Sequence, residues 1–326
     1  MAFSIGLSLI TMGLVMYFTW SPEGFEYIQL KRLPGLIIAF VVTLLKIYFQ
    51  AWKYRILSDY TLSWMGAFRV VLTWDFASAI TPSTIGGGPV AAYAMTREQI
   101  PLGKSGGIML YGVLLDQLFY VMVIPILITM GFYYDVIPPN AGWVGTGAMF
   151  LIYTVLLGYS VILAYGLLVN PMSLKRMVRV LFGIPFLRGI RRKIVRESDN
   201  LIDFSDRLRK KPQGFLVKAF IVSTLNWLAK ISLPSIVVLS FLPADVLLTF
   251  LRSFSMTFAG LFVPTPGGSG GAEALFLLFQ GPLFERVIFI GISIFMWRLY
   301  TYYLSIGLGV FVMTWYMNPA RQGASE

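Results

Sequence analysis

Two Thr-Pro pairs, far apart in an apolar chain, are each followed by glycines at the same distance. Thr81-Pro82 precedes Gly86-Gly87-Gly88 and Thr265-Pro266 precedes Gly270-Gly271-Ala272, five residues separating each Thr from the first glycine of its cluster. Both clusters interrupt strongly apolar stretches, over 64–95 and 246–282. Proline lacks the helical N–H and glycine favours turns, so neither stretch continues as one helix. In a bilayer, such broken backbone persists only where protein or a water-lined cavity satisfies its polar groups. Two breaks at corresponding places in two halves point to a substrate path.

The rest of the chain requires a bilayer. Of 326 residues, 57% are hydrophobic and 13% charged, with a mean hydropathy of +0.75, too apolar for an ordinary soluble domain. The sequence contains neither cysteine nor histidine. That excludes disulfides, thiolate or imidazole metal sites and Ser-His-Asp or Cys-His triads, and no metal or cofactor is expected. Any chemistry rests on Asp, Glu, Lys, Arg, Tyr or backbone, and no catalytic residue stands out. The net charge of +11 is concentrated, with 13 of the 26 Lys and Arg between Lys175 and Lys218. Beside apolar spans, such a cluster meets anionic lipid headgroups, not nucleic acid. Residues 2–20 lack a basic leader and a small-residue cleavage pattern, so they read as a retained span and not a signal peptide.

Apolar runs of about 20 residues, the length needed to cross a bilayer, occur at roughly 2–20, 34–57, 105–134, 143–169, 215–242 and 286–317. The expected fold is all-α and polytopic: six full spans plus two broken stretches read as hairpins of half-helices. The positive-inside rule places Lys53/Arg55, Arg97/Lys104 and the 175–218 cluster in the cytoplasm. The first broken stretch then enters and leaves by that side, and the second by the opposite side. A single integral domain over 1–326 is expected, with a first half (1–169), a basic connector (170–214) and a second half (215–326), related like inverted repeats. Both termini fall in the cytoplasm, whereas Lys31 and Arg32 are left outside. Within the connector, Leu187, Ile190, Ile194, Leu201, Phe204 and Leu208 recur at helical spacing, with Arg191, Arg192, Lys193 and Arg196 on the other face. This is an amphipathic helix, either lying on anionic lipid or serving as a solvated connector that fixes topology.

The candidate binding residues fall into two groups. The first is the motifs themselves: Pro82, Gly86, Gly87 and Gly88, then Pro264, Pro266, Gly267, Gly268, Gly270, Gly271 and Glu273. A half-helix starting near Ala272 would aim its positive end and several backbone N–H groups at one point, which suits a phosphate or carboxylate. No Gly-Lys-Ser/Thr follows, so this is not a nucleotide loop. Glu273 falls in the first turn, placed to cap the helix or to meet a cation. The second group is ionisable or polar residues deep in apolar sequence: Asp75, Asp116, Lys230, Arg252 and Arg298, with Asn226 one turn from Lys230. Arg69 belongs with them as a buried charge. A charge at the bilayer centre costs roughly 2.5–3.5 kcal/mol on insertion scales, so these groups need partners or water. Three acids among four bases imply mutual pairing, with one base left over for an anionic ligand. Each also has a structural reading, in which Arg69 and Arg252 snorkel, Asp116 bonds a neighbouring span and Glu273 caps.

The stretches Thr81-Pro-Ser-Thr-Ile-Gly-Gly-Gly-Pro-Val-Ala-Ala-Tyr93 and Val263-Pro-Thr-Pro-Gly-Gly-Ser-Gly-Gly-Ala-Glu-Ala-Leu275 resemble the two signatures of the lysylphosphatidylglycerol synthase transmembrane family. This flippase-like domain is also the N-terminal part of the multiple peptide resistance factor. The resemblance extends to Trp52-Lys-Tyr-Arg55 and the basic connector, and so covers nearly the whole chain. It implies movement of membrane phospholipids, aminoacylated phosphatidylglycerol or polyprenyl-linked lipids between leaflets of a prokaryotic cell membrane. By position, Pro82, Gly86, Gly87, Pro89 and Tyr93 match the first signature, and Pro264, Pro266, Gly267, Gly268 and Glu273 match the second. Where the family's first signature often carries an acid and then an arginine, this chain has Gly88 and Ala91. Only a short polar tail follows Trp315, so the resemblance implies that the soluble aminoacyl-transferase half is missing and that a separate enzyme makes any modified lipid.

Three readings stay open from sequence: a lipid flippase or scramblase, a membrane transferase acting on a polyprenyl-phosphate or phospholipid, and a small-solute or ion transporter. Oligomeric state is not legible.

Overall fold

The computed structural model describes residues 2–19, 33–81, 87–170 and 203–317. Pro82, Gly86, Lys31, Arg32 and most of the expected amphipathic helix, Leu187 to Leu201 with its arginines, lie outside the described residues. So does the polar tail.

Every element among the described residues is helical: α1 (Ala2–Thr19), α2 (Leu33–Leu57), α3 (Trp64–Ile80), α4 (Gly87–Arg97), α5 (Leu102–Met130) and α6 (Gly142–Ala164). After the connector come α7 (Gln213–Phe241), α8 (Val246–Gly260), α9 (Gly271–Gln280), α10 (Val287–Arg298) and α11 (Leu304–Met317). A π turn extends α6 over Tyr165–Val169, and another joins α10 to α11 over Leu299–Tyr303. Four helices are long and apolar enough to cross a membrane: α2, α5, α6 with its π turn, and α7. The outward faces are apolar as well, with Phe132, Trp143, Leu151 and Phe311 largely exposed, the surface a helical membrane protein presents to lipid.

The two interrupted stretches fold alike. Ser63 caps α3 by accepting from Gly66 N at 3.0 Å, and Asp245 caps α8 by accepting from Leu248 N at 2.8 Å. The first arms end at Ile80 and at Gly260, ahead of their Thr-Pro pairs, and in each hairpin a second arm packs beside the first. In the first hairpin Arg69 near the base of α3 binds Glu98 just after α4. In the second, Gln280 at the end of α9 donates to Thr249 O and Ser253 Oγ near the base of α8.

Helices α2 and α7 form the largest interhelical contact and run antiparallel. Lys211 and Lys218 reach Asp59 and Tyr60 at one end of the pair, while Gly35 lies against Ser240 at the other. The first hairpin follows the C-terminus of α2 and the second follows that of α7, so their bases lie at opposite ends of the bundle. The neighbours repeat this relation: α5 packs on α4 as α10 packs on α9. Helix α7 is the centre, with far more of its apolar length buried than that of α6.

Candidate functional site

The tips of the two hairpins touch. Gly267 N donates to Thr81 O at 3.2 Å and the Tyr302 hydroxyl donates to Ala79 O at 3.3 Å. The second motif is built from backbone that only glycine takes easily: Gly267, Gly268 and Gly270 have φ of 59°, 68° and 83°. A Cβ on Gly267 would also collide with the Tyr302 ring and lie 2.7 Å from Ala79 O. Close approach of the two tips therefore requires glycine at that position.

Glu273 serves two purposes at the start of α9. Its Oε2 accepts from Gly270 N at 2.8 Å, as an acidic residue in a first turn can. The same carboxylate takes a two-pronged grip from Arg298, Nε to Oε1 at 2.8 Å and Nη2 to Oε2 at 2.9 Å, with both side chains at most 5% exposed. The third arm of the guanidinium donates to Gly267 O at 3.0 Å. Arg298 is the last residue of α10 before the π turn, and such turns concentrate at functional sites. The π turn also carries Tyr302 to the first hairpin.

Beside this junction lies a cavity of about 270 Å³. Its wall includes Lys46 of α2, Trp74, Asp75 and Ser78 of α3, and Lys230 and Pro234 of α7. Thr257 of α8, Gly267, Gly268 and Arg298 complete the polar side. Lys46 forms an ion pair with Asp75. Pro234 lacks the N–H that would donate to the Lys230 carbonyl, which weakens α7 at the level of the cavity. Lys230 is exposed to the cavity and its ammonium lies 4.3 Å from the Trp227 ring centroid. Among the described residues it joins no ion pair.

The remaining charges have their own partners. Asp116 accepts from Lys53 Nζ at 2.8 and 3.0 Å, Ser223 Oγ at 2.6 Å and Trp227 Nε1 at 2.8 Å, which ties α2, α5 and α7 together. Arg69 binds Glu98, whose Oε1 also accepts from Tyr316. Arg252 donates to the backbone oxygens of Asp135 at 2.9 Å and Phe279 at 3.4 Å.

Of the residues singled out from sequence, the structure gathers Asp75, Lys230, Gly267, Gly268 and Arg298 at the cavity, with Glu273, Gly270 and Gly271 directly behind. Gly87 packs so closely on Ser78 and Trp74 that a Cβ would collide, and Gly88 faces the Trp74 ring. Pro264 and Pro266 lead into the glycine turns. Asp116, Asn226 and Arg252 lie away from the cavity, and Asn226 Oδ1 is buried with no partner among the described residues. Lys46, Trp74, Ser78, Thr257 and Tyr302 are additions. Lys46 carried a readable signal, a lone charge in mid-span, whereas Ser78, Thr257 and Tyr302 are ordinary helix residues in sequence.

A family model described as lysylphosphatidylglycerol synthase TM region matches residues 2–309. The chain is also similar to a UPF0104 membrane protein of Archaeoglobus fulgidus, 24% identical over 321 residues covering 93% of each chain. No solved structure matches.

Proposed function

The chain belongs to the lysylphosphatidylglycerol synthase TM region family, and on that premise we propose that it moves a lipid headgroup across a membrane. The cargo on this reading is an anionic or aminoacylated phospholipid or a polyprenyl-linked lipid. The observation that carries the proposal is the cavity at the meeting of the two hairpin tips, charged on one side, partly open, and set among helices that are apolar outside. At about 270 Å³ it suits a headgroup and leaves no room for acyl chains, which would stay in the bilayer.

In this proposal α1, α2, α5, α6, α7 and the α10–α11 helix cross the membrane, and the two hairpins are re-entrant from opposite faces. The membrane is a prokaryotic cell membrane, with both termini and the basic connector in the cytoplasm. Displacement of one half against the other alternates access to the cavity, as in other transporters built from inverted halves.

Purified protein reconstituted into liposomes carrying headgroup-labelled lipids tests this. Leaflet exchange, read by quenching of the outer label, is expected to exceed that of empty vesicles for at least one of these lipids. Equal rates with and without protein for phosphatidylglycerol, lysyl-phosphatidylglycerol and a polyprenyl phosphate would sink the proposal.

A further inference from the structure

Among the described residues Lys230 is the cation at the cavity that lacks a carboxylate, and the internal repeat explains why. Asp75 stands twelve residues after Ser63, the cap of the first hairpin; Thr257 stands twelve after Asp245, the cap of the second. Lys46 and Lys230 likewise precede those caps by seventeen and fifteen residues, on the antiparallel helices α2 and α7. Lys46 therefore meets Asp75, whereas Lys230 comes to the same cavity opposite a threonine.

Charges at the cavity do not cancel. Lys46 is matched by Asp75 and Arg298 by Glu273, so Lys230 leaves one positive charge. Lys230 lies about 17 Å along α7 from its nearer end, too deep to snorkel out. Ser78 adds, on the same wall, a buried hydroxyl that has no hydrogen-bond partner among the described residues.

We infer that the cavity binds the phosphate of a lipid whose headgroup carries no compensating cation, anchored by Lys230 with Ser78 as a second donor, and that it disfavours lysylated headgroups. This rests on the translocation reading and narrows its cargo. Phosphate diesters such as phosphatidylglycerol and monoesters such as a polyprenyl phosphate share that chemistry, whereas a headgroup amine would face an uncompensated ammonium.

The test uses the full chain in detergent, with fluorescent phosphatidylglycerol, polyprenyl monophosphate, phosphatidylcholine and lysyl-phosphatidylglycerol as probes and inorganic phosphate as competitor. Wild-type protein is expected to bind one or both anionic lipids about tenfold more tightly than the other two, the scale of one charge-assisted hydrogen bond. Lys230→Met loses that preference and Lys230→Arg keeps it. Thr257→Asp, which leaves Lys230 in place and gives it a carboxylate, weakens anionic lipid binding by a similar factor. Wild-type binding of lysyl-phosphatidylglycerol as tight as that of both anionic lipids overturns the inference, with no variant needed. So does unchanged anionic binding in folded Lys230→Met or Thr257→Asp. Free phosphate competing as well as the lipids at equal concentration overturns the lipid assignment. The readouts separate the two claims. Selective, Lys230-dependent binding without leaflet exchange refutes translocation alone, and fast exchange insensitive to Lys230 and headgroup charge refutes this inference alone.

Discussion

Replacing Glu273 by Gln removes one charge from a buried pair and keeps its shape. The carboxylate is 1% exposed and the guanidinium 5%, so neither is hydrated to any extent. Breaking such a pair from one side costs about 3–5 kcal/mol, because the surviving charge stays buried and unpaired. In Glu273→Gln the side-chain amide still offers an oxygen to Gly270 N, so the loss reports on Arg298 and not on the helix cap. Glu273→Ala also orphans that N–H and costs about 1–3 kcal/mol more. Arg298→Met alone strands the carboxylate at a similar cost. The double variant Glu273→Gln/Arg298→Met removes both charges, and its cost falls well below the sum of the singles, with a coupling of about 2 kcal/mol or more. Equilibrium unfolding in mixed micelles, followed by fluorescence of the eight tryptophans, supplies the four free energies of the cycle. Additive losses, with coupling under about 0.5 kcal/mol, would refute the claim that this pair holds the second motif to α10.

Three further outcomes follow from named contacts. Gly267→Ala forces a Cβ towards Ala79 O at a φ of 59°, so it destabilises by roughly 1–3 kcal/mol; Tyr302→Ala relieves only the ring collision, and complete rescue by it in the same unfolding assay would contradict the backbone argument. Lys53→Met strands Asp116 and costs about 3–5 kcal/mol, whereas Trp227→Phe removes one of its hydrogen bonds and costs about 1.5–3 kcal/mol; the reverse order of losses would refute the pairing. Because the chain has no cysteine, single cysteines report sidedness cleanly: Thr61→Cys and Arg97→Cys should react with an impermeant maleimide from one face of intact vesicles, and Val246→Cys and Glu285→Cys from the other. Labelling of all four from one face would exclude opposed hairpins.

Much of the fold was legible because it follows from local rules. The expected span at 34–57 becomes α2 at Leu33–Leu57, and the broken stretch at 246–282 becomes α8, a glycine turn and α9. Hydrophobic length and Thr-Pro-Gly punctuation carry that information along the chain. Pairing partners do not lie along the chain. Asp116 finds Lys53 and Trp227 on two other helices, and Arg69 finds Glu98 across a hairpin. Lys53 reads from sequence as a basic span end, yet it is 1% exposed and committed to Asp116. The π turn that brings Tyr302 to the first hairpin leaves no mark in composition, since Leu299–Tyr303 reads as uninterrupted helix.

The distribution of these contacts bears on where the molecule can move. The junction of α2, α5 and α7 is held by one carboxylate with three donors, two of them neutral and one charged, and losing its charged partner alone costs about 3–5 kcal/mol. The hydrogen bonds that join the first hairpin to the second half include two neutral ones, Gly267 N to Thr81 O at 3.2 Å between the tips and the Tyr302 hydroxyl of the π turn to Ala79 O at 3.3 Å, each worth about 0.5–1.5 kcal/mol. Glu273 and Arg298 do not oppose parting of the tips, because both belong to the second half and hold Gly267 within it. On the translocation reading, the tips separate while the α2/α5/α7 junction stays closed, and the second motif moves as a unit with α10. Lys230 sits on the helix that belongs to the fixed junction, one turn from Trp227, and Pro234 loosens the backbone at that level. The anchoring cation thus stays in place while the glycine tips around it open, the arrangement a site needs if access is to alternate around a fixed headgroup.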